Sequence, residues 1–206
     1  TLTHIGRSEK MLFMKKLLAI LILIFTLPTL SQADDIRDFQ IEGMSIGDSL
    51  LDYFSEKDIK KNSKNPYKKK DFTHVENNNY SFFKTYYAVD INFKTGDPEY
   101  IIQGLSGIIN YRNKSMVKCK KQLKKIFNEI SLLLPKFRKT TIRTESMPDD
   151  PSGKSIDTWA GFFSDQGSVT IGCLDYLDET RPNKMDHLDV TIRTKEFNDF
   201  LDTAYE

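Results

Sequence analysis

The chain has 206 residues, with 30 Lys and Arg against 29 Asp and Glu, three His, two Cys and 39% apolar residues. So even a charge balance provides no global attraction to nucleic acid or to an anionic bilayer, and only local patches can supply one. Two cysteines and three histidines are too few for a Cys/His metal framework, and no nucleotide- or cofactor-binding motif is complete, so no cofactor, metal or nucleic acid is expected.

The first element is a targeting signal. Met14-Lys15-Lys16 leads into the apolar run LLAILILIFTLPTL (17–30) and then Ser31-Gln32-Ala33. A basic start, an apolar core and small residues three and one before the cut predict a secretory signal peptide removed ahead of Asp34. The run falls short of the roughly 20 residues that span a bilayer, and Pro28 breaks its end. With residues 1–33 set aside, 173 residues of net charge −2 remain, enough for one domain (34–206) around one core. Export to the periplasm or beyond puts Cys119 and Cys173 where a disulfide persists, and one bridge between them is expected; the competing reading is two buried thiols.

In the stretch GMSIGDSLLDYFS (43–55), two glycines raise the question of a phosphate loop. A P-loop requires a lysine after its second glycine, whereas Gly47 is followed by Asp48, which would repel the phosphate. Ser45 and Asp48 instead form a capping box for a helix over about 46–54 that packs Leu50, Leu51 and Phe54. Close packing against a strand is the account of Gly47. Ser55 with Asp58 repeats the device for a second short helix reaching residue 61. SKNPYKKK then reads as a solvated, mobile loop.

Strands follow at 72–76 and, after a turn at 77–79, along a run in which Tyr87, Val89, Ile91 and Phe93 alternate with Ala88, Asp90 and Asn92, so one face is buried. Thr95-Gly96-Asp97-Pro98 turns the chain into a partner strand over 100–111, where Gly104 and Gly107 mark a bulge or a close approach. Residues 115–134 form the strongest helix: Met116, Cys119, Leu123, Ile126, Phe127, Ile130, Leu133 and Leu134 make one stripe that Pro135 ends. Strands at 140–145, 155–163, 168–176 and 188–192 and a closing helix capped by Thr194 complete an α+β order. The simplest packing is an antiparallel sheet with the long helix on one face and short helices at either end. Cys119 on the helix stripe and Cys173 on the buried face of its strand can then meet.

Candidate chemistry is sparse. Gly104-Leu105-Ser106-Gly107 is half a nucleophile elbow, with Ile108 where the closing glycine belongs and only His74 and His187 after the leader as bases. Asp186, His187 and Asp189 alternate between strand faces, and the oxygen-rich 149–157 loop lacks calcium-loop spacing. No catalytic residue is assigned. The long helix is basic on its other side: Arg112, Lys114, Lys118, Lys120, Lys121, Lys124 and Lys125 precede its first acid, Glu129, and cations at a helix N-terminus oppose the macrodipole. Lys114, Lys118, Lys121 and Lys125 are the candidate contacts for an anionic lipid, glycan or acidic envelope protein, the alternative being a solvated lysine face. Tyr80, Phe82, Phe83, Tyr86 and Tyr87 form an aromatic cluster that is half core and half contact surface.

The segments GMSIGDSLLDYFSEKDI, DQGSVTIGCLDY and LDVTIRTKEFNDFL together resemble a family of small exported proteins of marine alphaproteobacteria, a resemblance that implies export and carries no activity. Gly43-Met44-Ser45 with the apolar residues after it is similar to the start of outer-membrane assembly accessory lipoproteins and of the β-lactamase-inhibitor fold, without their lipid-anchor cysteine. The sequence therefore points to an exported, non-enzymatic binding or accessory protein. The alternative is a small secreted hydrolase or an enzyme inhibitor with its site in the loops around Asp149 and Asp186.

Overall fold

The computed structural model describes residues 35–77, 83–112, 115–148, 150–176 and 185–206. The leader, the 77–79 turn beyond Asn77, Tyr80, Phe82, Lys114 and Asp149 lie outside them. A short 3-10 turn, Ile36–Asp38, and a second, Leu50–Asp52, precede helix α1 (Glu56–Asn62). Strands β1 (Ser63–Lys64), β2 (Phe72–Asn77), β3 (Ala88–Lys94) and β4 (Ile102–Asn110) follow, then the long helix α2 (Met116–Leu133). After it come β5 (Arg138–Lys139), β6 (Arg143–Ser146), β7 (Ile156–Phe163), β8 (Gly167–Asp175), β9 (His187–Thr194) and helix α3 (Lys195–Leu201). The sheet is antiparallel throughout, in the order β1-β2-β3-β4-β9-β8-β7-β5, with β6 also paired to β7. The α+β class, the long helix on one face and the closing helix are as the sequence predicts.

The helix-covered face forms the main core. Val89 and Ile91 of β3, Leu105 of β4, Leu188 and Ile192 of β9, and Val169 and Ile171 of β8 all lie on it beneath Cys119, Leu123 and Ile130 of α2. Phe127 stacks near Phe162 of β7, ring centroids 5.2 Å apart. Cys119 and Cys173 are bridged, their Cα atoms 6.1 Å apart, which fixes α2 to β8 across 54 residues of chain. Pro135 follows the helix end, where the Leu134 N–H still reaches the Ile130 carbonyl.

The GMSIGDSLLDYFS stretch departs from the expected helix over 46–54. Ile41 and Met44 close a small bridge, Gly47 donates to the Ile102 carbonyl and Ile102 donates back to Asp48, so the segment lies along the start of β4 and only Leu50–Asp52 turns helically. Asp48 is occupied from within as expected, by the Ser45 N–H at 2.8 Å and the Tyr53 hydroxyl at 2.6 Å. Gly47 has φ +92°, and a Cβ there would meet nothing nearer than Arg37 Cδ at 3.8 Å. Its role is therefore backbone conformation, not the close packing expected. Leu50 is buried, while Leu51 stands exposed because the helix that would have turned it inward is missing. Ser55 does cap α1, exchanging bonds with Asp58 as predicted.

The opposite face of the sheet is partly covered. Tyr67, in the supposedly solvated loop, is buried with Phe72, Phe197 and Ala204 in a second apolar cluster under α3. Its hydroxyl donates to Asn92 Oδ1 at 2.7 Å, which gives the buried Asn92 a partner on the polar side of β3. Gly104 is where the Phe197 ring approaches, and Gly107 where Tyr86 does; a Cβ at either would sit 2.5 Å from the ring. Both glycines mark close approaches, as the sequence suggested.

Closing a loop of this length removes about 4 kcal/mol of unfolded-state entropy. Reduction, or the Cys119→Ser/Cys173→Ser pair, is expected to lower the melting temperature by roughly 10 °C. Calorimetry with and without reductant checks this, and an unchanged transition would show that the bridge does not constrain the unfolded chain.

Candidate functional site

Two surfaces, on opposite faces of the sheet, gather polar side chains around a cavity. The first lies beside α2. Its amphipathic stripe turns Cys119, Leu123 and Ile130 inward, which swings Lys118, Lys121, Gln122 and Lys125 to one outer edge. There they face Ile109 and Tyr111 across a groove of about 530 Å³ whose walls are mostly carbon. Three of the four lysines predicted as anionic contacts thus line one groove; the fourth, Lys114, lies outside the described residues. No acid occupies the first turn of α2, and Ser115 makes no side-chain cap. Among the described residues the compensation is a Lys125–Glu129 pair at 3.8 Å, between exposed side chains and so weak. Of the aromatic cluster, Phe83 is buried, Tyr86 covers Gly107 and Tyr87 is exposed.

The second surface is the uncovered part of the other sheet face. Register places Asp189 of β9 opposite Gly172 of β8, and Gly172 opposite Trp159 of β7. Asp157 of β7 pairs with Leu174 of β8, one step along. A Cβ on Gly172 would stand 2.5 Å from Asp189 Oδ1 and 3.4 Å from Asp157 Oδ1, so both carboxylates converge above a residue that has no side chain to block them. The resulting cavity, about 320 Å³, is walled by Trp159, Phe163 and Leu174 and ends at Arg193. Arg193 also borders a smaller space of about 190 Å³ that contains His74 and Asp90.

Electrostatically the second surface is under tension. Asp157 Oδ1 and Asp90 Oδ1 are buried with no hydrogen-bond donor of the described protein reaching them. Burial first, then the charges of Asp189 and Glu145, push the Asp157 carboxyl up to about 7. Burial also raises Asp189, against the pull of His187 and Arg193, and raises Asp90, against His74 at 3.8 Å. The same burial lowers Arg193, opposed by Asp189. Among the described residues of this surface, neither a nucleophile–base pair nor a metal site emerges. Ser106 Oγ is bonded to Thr191 at 2.7 Å on a regular strand rather than to a histidine. Among the described residues no group of three or more His, Cys, Asp and Glu is placed to hold a metal ion.

In the loops considered for a hydrolase or inhibitor site, the described aspartates Asp150 and Asp186 are hydrogen-bonded within the protein. Asp150 is surrounded by donors from Ser152 and Ser155, which hold its carboxyl well below the usual range. Asp186 accepts from the Tyr176 N–H at 2.9 Å and offers its carbonyl to Tyr111. The alternation expected of Asp186, His187 and Asp189 holds: His187 pairs with Leu174 and Asp189 with Gly172, on one face. Sequence reasoning missed Asp157, Asp189 and Arg193 as a group because 36 residues of chain and a strand register separate them; Gly172 inside a predicted strand was the available signal.

No family model, no curated protein and no solved structure matches the chain.

The raised Asp157 gives a signed prediction. Between its unfolded value near 4 and its folded value near 7, the folded chain binds the extra proton, so stability declines as pH rises through that window. Asp157→Asn keeps the shape and removes the charge. It is expected to melt higher than the wild type at pH 8 and equally at pH 4; the opposite order in a pH series of thermal melts would show that the carboxylate is stabilised in the folded state.

Proposed function

We propose that this is an exported, non-catalytic binding module whose basic groove docks an anionic amphiphile, a phosphorylated lipid of the cell envelope. The leader over 14–33, with its small residues before Asp34, supports export. The Cys119–Cys173 bridge fits an oxidising compartment, and no described helix is long and apolar enough to cross a membrane.

The observation that carries the reading is the groove of Lys118, Lys121 and Lys125 over Ile109 and Tyr111. Ammonium groups attract a phosphate as point charges, while the carbon walls accept the apolar part of the same molecule. Three lysines beside an uncapped helix N-terminal half carry more positive charge than α2 itself neutralises, and an anion relieves it. A purely polar anion would leave the carbon lining exposed, and a neutral lipid would leave the lysines uncompensated.

The chain from Asp34 is expected to co-sediment with vesicles containing phosphatidylglycerol and not with phosphatidylcholine alone. Binding should fall with salt and drop at least about tenfold in a Lys118→Glu/Lys121→Glu/Lys125→Glu variant. Equal sedimentation of variant and wild type, or none with either vesicle, sinks the proposal. The intact mass of protein recovered from the periplasm tests export separately, since a chain beginning at Asp34 is required.

A further inference from the structure

We propose that the uncovered sheet face carries a second binding site, independent of the basic groove, for a small zwitterion of the amino-acid class. Its ammonium is held by Asp157 and Asp189 above Gly172, its carboxylate by Arg193 and its side chain against Trp159 and Phe163.

Four features point to this ligand. Asp157 Oδ1 is sealed from solvent and unbonded, which for a carboxylate oxygen inside a protein is costly unless a donor arrives. The Arg193 guanidinium, on a half-buried residue, borders the same space. It lies at the junction of two cavities, and although Asp189 is close enough to influence it, no hydrogen bond or ion pair ties it to the described residues. A guanidinium that borders a cavity has its planar fork available, and that fork matches a carboxylate in two parallel bonds. Opposite charges that face one space without touching each other define a gap that a dipolar ligand closes. A simple amine would be repelled by Arg193, and a simple carboxylate by Asp157 and Asp189.

The walls and the volume narrow the class. Trp159 is anchored by its indole N–H to Glu145 Oε1 at 2.6 Å, and Phe163 carries Arg138 over its ring at 4.8 Å, so both aromatics are braced by neighbouring strands. Aromatic faces favour ammonium groups and apolar side chains alike. A space of about 320 Å³ corresponds to roughly ten water-sized positions, the bulk of a medium-sized amino acid rather than of a sugar chain or a lipid. The floor is built for access: any side chain at Gly172 would strike Asp189 Oδ1.

The test is a thermal-shift screen of the full chain with each common L-amino acid singly, followed by calorimetry of the best one with its N-acetyl and decarboxylated analogues. Binding is expected for the free amino acid, and at least about tenfold weaker binding for both analogues. Asp189→Asn should weaken the amino acid about tenfold or more. Arg193→Gln should weaken the amino acid without weakening the decarboxylated amine. Gly172→Ala should abolish binding while the protein still melts cooperatively; if that variant does not fold, the Asp189→Asn and Arg193→Gln pair decides. The proposal is overturned if no amino acid binds, if the decarboxylated amine binds as tightly as the parent, or if the folded Gly172→Ala or Asp189→Asn proteins bind as the wild type does.

Discussion

A nine-stranded antiparallel sheet has two faces, and the described residues supply one long helix with which to cover them. Everything else follows from that shortage. Helix α2 takes one face and seals it with an apolar stripe and a disulfide. The other face receives α3, seven residues long, and the Tyr67 loop, which between them cover one end. Uncovered strand faces ordinarily carry well-solvated polar residues. Here Asp90, Asp157 and Asp189 are half-buried, and Asp90 and Asp157 each keep a buried oxygen that no donor of the described residues reaches.

The two faces thus reach opposite electrostatic solutions. On the helix side the charge is exterior, flexible and positive, set on long lysine stems where water screens it. On the bare side it is interior, short-stemmed and mostly negative, with Arg193 as the one embedded cation of the larger cavity. Short side chains on a regular strand hold their geometry, whereas lysines adjust to whatever approaches. Under the two proposals, the first surface takes a partner by charge and apolar contact, the second a ligand by placement.

Features written in local periodicity were legible in the sequence. The α2 stripe recurs at three and four, and because Cys119 sits on it and Cys173 on a buried strand face, the bridge could be inferred from two patterns that each required only a few neighbours. The β3–β4 hairpin and the caps at Ser55 and Thr194 were readable for the same reason. The 43–55 stretch was misread because a capping box also suits a turn, and Gly47 at positive φ, together with the pairing of its N–H to Ile102, overrides the helix. Lys118, Lys121 and Lys125 could be gathered from helix spacing alone. Asp157, Asp189 and Arg193 could not, since their meeting depends on the registers of β7, β8 and β9, and alternation by itself labels each as an outward polar residue.

Gly172 and Cys173 are consecutive, and β-strand alternation sends them to opposite sides of the sheet. One is the floor under the two carboxylates, and the other is the sulfur that fastens the basic helix. A single peptide unit of β8 therefore stands behind both surfaces, like a shared wall between two rooms. The bridge fastens α2 to one side of that unit, while β7 and β9, paired along the length of β8, hold it in place beneath the carboxylates on the other.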